Sequence, residues 1–474
     1  MLAWAQRQPQ LLWNSRVAVG LLLLCAMICV LHGQQRRDDA AFSPSAGRRD
    51  PSHALLPDNL PPPPLVYIYP IPDSLYAADL DDAFTTYDVT VDWRECYSTE
   101  WVIPAAWEHA GLVTSDPLQA SFFLVPHASS AQFHACLGSA LFPDKNDCYA
   151  HVAGALSRVI DHVMQLPYYA ASGGHDHAFI FAHDGALASF SFPPGSRASN
   201  ADRLRGALLL LNQGNALATD HEPHRTIVTM PFAVVPEPGP PEEEAAPQFP
   251  STVGYFSGGL HGRRRRDIFE ALQNETGFVF LTSRDPSYAQ SLHSARFCLH
   301  LAGYGQPLYQ GRFPHLKHGA VWSGRIAHIL GAGCVPVIVI DNLDLPLGGV
   351  ANWASFSLRV SEDTASVRGE LASQLRGISE PEWRQMRHNL RALRGVFTYA
   401  PPDLTWRPTP RLGAAPRPHA PFRPDAALAT YLEILIRLRF GVGSLEAAIE
   451  RAAGRGPAAD LFRCLFVTPR ACTE

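Results

Sequence analysis

The sequence predicts an α/β fold with two mostly parallel sheets, because buried strands alternate along it with segments long enough for helices. Short apolar runs occur before residue 235 and again after residue 250. Between them lies a segment rich in proline and glutamate, PEPGPPEEEAAPQFP. The chain has 474 residues, whereas a single core stops growing at roughly 250–300 residues. We therefore expect two domains, joined by a linker over residues 236–250.

The first domain is predicted over residues 65–235. Its strands are short apolar runs rich in β-branched and aromatic residues and ended by proline or polar residues. A helix is predicted between the second and third runs, over Tyr149 to Met164. The predicted strands are Leu65–Tyr69, Phe122–Val125, Ala178–Phe181 and Thr226–Thr229.

The second domain is predicted over residues 251–400 and repeats the same alternation. A helix is expected from Gly324 to Leu330, and Ser379 with Glu382 has the spacing of a capping box. An extension over 401–474 contains a late amphipathic helix at 426–438. The predicted strands are Thr252–Phe256, Gly277–Leu281, Phe297–Leu301 and Val335–Ile340. Two such halves are typical of Rossmann-like domains that face a cleft, with ligands at the carboxyl ends of the strands.

The N-terminus contains an uncharged apolar run, Val17 to Leu31, which with His32 and Gly33 reaches the short end of a membrane span. We expect a cytoplasmic head over 1–16, a transmembrane anchor over 17–33 and a polar, proline-containing stem over 34–64. A cleaved signal peptide is the competing interpretation. Both place the rest of the chain in the lumen of the secretory pathway.

Net charge and cysteine spacing argue against two classes of protein, those that attract nucleic acid through a basic surface and zinc ribbons. The formal net charge is −5, so no basic field attracts nucleic acid. Nine cysteines occur without a CxxC pair, which gives no support to a zinc ribbon. In an oxidising lumen, Cys136–Cys148 and Cys464–Cys472 could form local disulfides, and buried free thiols are the alternative.

One ordered set of motifs carries a family resemblance. The run SGRIAHILGAGCVPVI, residues 323–338, is similar to the signature of the exostosin-type glycosyltransferases, which have plant and algal members. Gly303-Tyr304 lies upstream of it. In the first half, YSTE at 97–100, TSDP at 114–117 and ASFFLVP at 120–126 resemble the opening of the same family. The resemblance covers about residues 65–400 and implies a B-type glycosyltransferase fold in the Golgi membrane.

The resemblance implies a nucleotide-sugar donor and a glycan or glycoprotein acceptor. The donor's diphosphate is the leaving group, and arginines or a helix N-terminus can stabilise its charge. Arg325 lies at the start of a predicted helix, and Arg263 or Arg265 could form a second phosphate clamp. Gly303, Tyr304 and Ser323 would line the donor pocket. A structural salt bridge is the alternative for Arg325, and a solvated patch is the alternative for the arginine run.

The acceptor side is predicted at His183 and Asp184, which follow a strand end of the first domain. Either group could take the acceptor's proton, and a fold-stabilising hydrogen-bonded pair is the alternative. Glu100 and His127 are further candidates for the base. The resemblance implies inverting chemistry without a metal or other cofactor, and Asp79-Leu80-Asp81 is a weak match to a metal motif.

The chain departs from the family pattern beside the predicted donor site. His328 occupies a position that is usually acidic, and the segment between Gly303 and Ser323 is long. These departures leave open an inactive member that binds glycans or stabilises a partner transferase, because fold alone does not guarantee chemistry. A homodimer or heterodimer also stays open.

Overall fold

The protein is described here by a computed structural model of the chain. It describes residues 65–76, 99–137, 144–183, 186–191, 199–212, 227–231, 249–260, 263–283, 285–302, 324–341, 343–348, 351–399 and 426–440. The predicted head, anchor and stem lie outside these residues, as do residues 236–248 of the predicted linker and the Cys464–Cys472 pair. The predicted domain boundaries therefore stay predictions.

The first sheet has six strands in the order β2-β1-β3-β4-β5-β6. The pairs for which a register is defined are parallel, for example Phe179 with Leu209 and Leu210 with Val228. Strands β4 and β5 are buried along their whole length, as expected for a parallel sheet covered on both faces. The strands are β1 (Leu65–Ile68), β2 (Val113–Thr114), β3 (Ala120–Leu124), β4 (His177–Phe181), β5 (Leu208–Leu211) and β6 (Ile227–Thr229).

The helices of this part follow the strand ends. They are α1 (Thr99–His109), α2 (Ser129–Leu137), α3 (Lys145–Met164), α4 (Pro167–Ser172), α5 (Ala186–Ser189) and α6 (Asn200–Arg203). Helix α3 begins after Asp144, whose side chain accepts a hydrogen bond from the Asn146 amide and so caps the helix. Its apolar residues Val152, Leu156, Val159, Ile160 and Val163 are buried, so one face of the helix packs into the core.

The second sheet has five strands in the order β11-β10-β9-β7-β8, and its pairs are parallel. The strands are β7 (Thr252–Ser257), β8 (Phe278–Leu281), β9 (Ala295–Leu301), β10 (Val335–Val339) and β11 (Leu358–Arg359). The core on one face is formed by Phe256, Phe297, Val337 and Trp383, which are almost fully buried. The prediction of two parallel-sheet α/β domains is confirmed.

The helices of the second part are α7 (Arg263–Leu272), α8 (Tyr288–His293), α9 (Arg325–Ala332), α10 (Glu362–Ser366), α11 (Glu370–Gly377) and α12 (Glu380–Leu393). The capping box predicted at Ser379 and Glu382 is present at the start of α12. Helix α9 ends at Gly333, whose left-handed backbone closes the helix before β10 begins.

The late helix predicted at 426–438 is α13 (Ala426–Phe440). It packs against α1, because the Trp107 indole donates to the Ala427 carbonyl at 2.8 Å. Tyr431 adds ring contacts with Trp107 and Phe122 at 5.9 and 5.7 Å between centroids. Among the helices that the structure describes, none has the length and hydrophobicity needed to cross a bilayer.

Among the residues that the structure describes, two disulfides are present. The Cys136–Cys148 bridge confirms the predicted local pair and joins α2 to α3. The Cys298–Cys334 bridge was not predicted and joins β9 to the residue that precedes β10. The parallel register places Cys298 beside Pro336, so the two sulfurs meet across neighbouring strands although 36 residues separate them in sequence.

Each sheet reverses its winding direction next to its first strand. In the first sheet β1 lies between β2 and β3, and in the second β7 lies between β8 and β9. The chain therefore leaves the first strand toward one side and later crosses to the other. In doubly wound sheets, ligands bind outside the carboxyl ends of the strands at this switch point.

Candidate functional site

Arg325 lies at the carboxyl end of the second sheet, where the sequence placed the donor. It is the first residue of α9, and its Nη2 donates to the carbonyl oxygen of Ser257 at 2.6 Å. Ser257 is the last residue of β7, the strand at the switch point. The guanidinium also lies 4.5 Å from the centroid of the Phe256 ring. Burial lowers the pKa of Arg325, and the nearby Tyr288 phenol opposes that shift.

Gly258 allows this approach of the arginine to the strand. Its φ is 155°, and a Cβ on it would overlap the Nη2 of Arg325. A side chain at residue 258 would therefore displace the guanidinium from the end of β7. The absence of a side chain at residue 258 thus leaves room for the Arg325 guanidinium at the end of β7.

Arg265 joins the two strands on either side of the switch point. Its Nη1 donates to the carbonyl of Gly259 at 2.8 Å, just beyond β7. Its Nη2 donates to the carbonyl of Leu301 at 3.2 Å, the last residue of β9. Arg265 is 5% exposed, so α7 turns this side chain inward. Two guanidinium groups, one from α7 and one from α9, thus lie at the carboxyl end of the second sheet.

The other arginines of the run at 263–266 face away from the carboxyl end of the second sheet. Arg263 is exposed, and its Nε lies 3.7 Å from Asp267 one turn along α7. Arg264 makes ion pairs with Asp363 at 2.8 Å and Glu362 at 3.5 Å on α10. The structure therefore brings Arg265, and not Arg263, together with Arg325.

His300 lies close enough to Arg325 and Arg265 for both charges to act on it, and it was not singled out in the sequence. It is fully buried in β9, next to Leu301. Burial lowers the pKa of His300 well below its ordinary value, and the charges of Arg325 and Arg265 lower it further. The imidazole is therefore neutral, and the positive charge at this strand end is that of the arginines. No sequence motif marks a histidine inside an apolar strand.

His328 lies one turn beyond Arg325 on α9 and is half-buried. Its ring stands edge-on to that of Tyr288, with 5.8 Å between centroids. The hydroxyl of Tyr255, a residue of β7, donates to the carboxylate of Asp285 at 2.7 Å. Gly303, Tyr304 and Ser323 lie outside the described residues, so their place in the donor pocket stays a prediction.

His183 follows β4 at the carboxyl end of the first sheet. Its Nδ1 lies 3.1 Å from the Ser189 hydroxyl, and its Nε2 lies 3.5 Å from the Tyr149 hydroxyl. The ring is buried against Phe133 and Phe190. Both ring nitrogens thus face protein hydroxyls. Asp184 lies outside the described residues.

A buried carboxylate lies at the same end of the first sheet. Both oxygens of Glu100 accept from the Ser130 amide, at 3.1 and 3.2 Å, and Oε1 also accepts from the Ser130 hydroxyl at 2.5 Å and the Ala182 amide at 3.3 Å. Burial raises the pKa of Glu100 to about 7, and these hydrogen bonds oppose the shift. His127 pairs with the Ser129 hydroxyl at 2.8 Å, and burial lowers its pKa to about 3.

Within the described ranges, no group of three or more His, Cys, Asp or Glu side chains could hold a metal ion. Asp79 and Asp81 lie outside those ranges. The cationic groups that the structure places at the switch point of the second sheet are guanidinium groups.

A doubly wound sheet with arginines at its switch point defines a class of protein that binds phosphorylated ligands there. Comparison with known families agrees with this class. The family model of the Exostosin GT47 domain matches residues 61–375, about two thirds of the chain. The chain therefore belongs to the Exostosin GT47 family, and its activity class is that of a glycosyltransferase.

Individual relatives are plant proteins. The chain is 27% identical over 338 residues to a probable glucuronosyltransferase of Oryza sativa subsp. japonica, covering 66% of this chain and 71% of the relative. It is 24% identical over 366 residues to a probable glucuronoxylan glucuronosyltransferase of Arabidopsis thaliana, covering 72% of each chain. Among solved structures, the glycosyltransferase SnogD from Streptomyces nogalater matches with a TM-score of 0.24 and 12% identity, over 70% of this chain and 94% of that chain.

Proposed function

We propose that the protein transfers a glycosyl unit from a nucleotide sugar to a glycan or glycoprotein acceptor in the Golgi lumen. The observation that carries the donor assignment is the meeting of Arg265 and Arg325 at the ends of β7 and β9. Both guanidinium groups are held by main-chain carbonyls, so their charge is in place before the donor binds. A preorganised cation is what a departing diphosphate requires.

The reaction we propose is inverting and independent of a metal. In an inverting displacement, the acceptor oxygen attacks the anomeric carbon while the bond to the diphosphate oxygen breaks, and the acceptor's proton passes to a base. Arg325 and Arg265 would stabilise the charge that develops on the diphosphate, together with the N-terminus of α9. This role needs positive charge at the strand ends, and the arginines supply it.

The donor that we propose to test first is UDP-glucuronic acid. Two of the relatives are named as probable glucuronosyltransferases, and one of these names specifies glucuronoxylan. His328 and Tyr288 lie next to Arg325, in a position to contact the sugar or the ribose. Their contact with the donor is part of the proposal.

The lumenal location is proposed from the N-terminal apolar run and supported by the disulfides. Val17 to Leu31 would anchor the chain as a single-pass type II protein. The Cys136–Cys148 and Cys298–Cys334 bridges suit an oxidising compartment, because cytosolic thiols are kept reduced.

The test is a donor screen on the full chain in detergent. Release of UDP would be measured with a panel of UDP-sugars, including UDP-glucuronic acid, with and without xylan oligosaccharides. In Arg325→Lys the single ammonium group replaces the guanidinium fork, and we expect about a 100-fold loss of kcat/KM, the order seen when one charge-stabilising donor is removed.

The matched control is Arg263→Lys, on the exposed face of α7, which should keep the wild-type rate. Equal rates for Arg325→Lys and wild type would contradict the donor site. A folded wild-type chain that neither binds UDP nor releases it would favour the inactive, glycan-binding alternative.

A further inference from the structure

The first turn of α1 connects three neighbouring strand ends of the first sheet, two of them through the buried carboxylate of Glu100 and one through Thr99. Glu100 belongs to the first turn of α1. It accepts from the amide and hydroxyl of Ser130, which begins α2 shortly after β3, and from the amide of Ala182, which directly follows β4. The preceding residue, Thr99, donates to Asn212 at 3.2 Å, one residue after β5.

Both main-chain polar groups of Ala182 are hydrogen-bonded to side chains. Its amide donates to Glu100 at 3.3 Å, and its carbonyl accepts from the Asn212 side chain at 3.2 Å. The first turn of α1 thereby fixes the chain at the point where β4 ends and His183 begins. The same turn fixes the segment from His127 to Ser130, which follows β3 at the switch point of this sheet.

All the described donors to Glu100 are protein groups, and its side chain is buried. The Ser130 hydroxyl and the Ala182 amide both donate to Oε1, so an acceptor hydroxyl approaching that oxygen would compete with two protein donors. Its position at the N-terminus of α2 also lets the helix dipole favour the negative charge. The arrangement suits a group that orients other residues.

We infer that Glu100 is a positioning residue that holds the strand-end segments 127–130 and 182–183 in the geometry needed to receive the acceptor. This inference rests on the proposed function, because it assigns the carboxyl end of the first sheet to the acceptor. The inference concerns the transfer step only. It predicts that a substitution of Glu100 leaves the binding of a nucleotide at the second sheet unchanged.

The substitution that tests it is Glu100→Gln, which keeps the shape of the side chain. An amide offers one acceptor oxygen and places an NH2 group where the carboxylate has its other oxygen. The Ser130 amide donates to both carboxylate oxygens, so in the variant it faces an NH2 group in either orientation of the side chain. The matched control is Glu108→Gln, an exposed position near the end of the same helix. Ser130→Ala removes the hydroxyl donor alone and serves as a second, milder variant should Glu100→Gln fail to fold.

Three measurements on the full chain separate positioning from general damage. Amide-resolved hydrogen exchange should be at least tenfold faster at Ser130 and Ala182 in Glu100→Gln. The Kd for UDP, measured by titration calorimetry, should stay within twofold of wild type. With the UDP-sugar and acceptor found in the donor screen, kcat should fall at least tenfold while the KM for the donor changes less than twofold.

Unchanged exchange at Ser130 and Ala182, or a kcat within twofold of wild type, would overturn the inference. An equal loss of UDP affinity and turnover would also overturn it, since that result indicates general disruption. Failure of the proposed function is distinguishable, because the wild-type chain itself would then neither bind UDP nor release it.

Discussion

At the scale of single residues, the two buried arginines act as hydrogen-bond donors at the ends of parallel strands. The carbonyls of Ser257, Gly259 and Leu301 lie at or beyond the last ladder pairs of β7 and β9, and a buried carbonyl needs a partner. Arg265 and Arg325 supply these donors and bring positive charge to the same place. The fold and the proposed donor site thus depend on the same contacts.

The first prediction concerns Gly258. In Gly258→Ala the added methyl group would overlap the Arg325 guanidinium and push it from the end of β7. We expect the Kd for UDP to rise about tenfold, which corresponds to about 1.4 kcal/mol. Calorimetric titration of the full chain with UDP measures the change.

The control for this substitution is Gly377→Ala at the end of α11, where an added Cβ meets nothing within 4 Å. It should bind UDP like wild type. If Gly258→Ala kept wild-type affinity while remaining folded, the contact between Gly258 and Arg325 would be irrelevant to the donor.

The second prediction concerns pH and Glu100. Burial raises its pKa from 4.5 to about 7, so between these values the folded chain holds a proton that the unfolded chain has lost. Glu100 makes its full contribution to the free energy of unfolding below about pH 4.5. This contribution falls as the pH rises from about 4.5 through about 7. Glu100→Gln lacks this proton. The difference in unfolding free energy, wild type minus variant, should therefore fall from pH 5 to about 8.

Urea unfolding across this pH range measures that difference. His127 titrates in the opposite sense, because burial lowers its pKa to about 3, but it is present in both proteins and cancels. A difference that stays constant with pH, or rises, would show that the carboxyl group is ionised throughout the range.

At the scale of helices and strands, sequence patterns predicted most of the sheet cores and fewer of the contacts between them. The apolar runs at 178–181 and 335–340 became β4 and β10, because a strand buried on both faces needs a continuous apolar run. The run of leucines at 208–211 became β5 and was not predicted, since an unbroken leucine run is compatible with strand or helix. Strands β2 and β11 have two residues each, too few for a pattern.

Sequence patterns predicted the candidate site about as well as they predicted the helices and strands. The helix predicted from Gly324 to Leu330 is α9, which begins one residue later at Arg325, and the structure places Arg325 at a strand end. Which of four consecutive arginines turns inward depends on the rotation of α7 against the sheet, and a run of identical residues carries no information on that rotation. The partners of Glu100 lie 30 and 82 residues away, so only the sheet order brings them together.

The third prediction tests the cap of α12. Ser379 accepts from the Glu382 amide, and the Glu382 carboxylate accepts from the Ser379 amide at 2.9 Å. Ser379→Ala removes the side-chain acceptor, and such a loss costs about 1 kcal/mol. Ser373→Ala, at an exposed position in α11, is the control and should change stability far less. Urea unfolding followed by tryptophan fluorescence should report the change, because Trp383 lies in the first turns of α12. Equal midpoints for the two variants would show that the cap contributes nothing.

At the scale of the whole molecule, each disulfide joins elements next to a different strand-end site. Cys136–Cys148 joins α2, which Glu100 holds, to α3. Cys298–Cys334 joins β9, which carries His300, to the turn that follows α9, which carries Arg325. Loop-closure entropy predicts stabilisation of about 3 kcal/mol for the shorter loop and about 4 kcal/mol for the longer one.

The fourth prediction follows from these loops. Reductant should lower the Tm of the full chain, and Cys298→Ala/Cys334→Ala should lower it more than Cys136→Ala/Cys148→Ala. Thermal unfolding with and without reductant gives both comparisons, and each double variant is the control for the other. A wild-type Tm that is the same in both conditions would argue against disulfides in the native protein and against a lumenal location.

The central claim is that a nucleotide diphosphate binds at the carboxyl ends of β7 and β9, between Arg265 and Arg325. Hydrogen exchange of the full chain with and without saturating UDP tests it most directly. The account predicts slower exchange in residues 257–260 and at the start of α9, with little change in 127–130 and 182–183. Binding of UDP that protected the first sheet instead, or that left 257–260 and α9 unprotected, would contradict it.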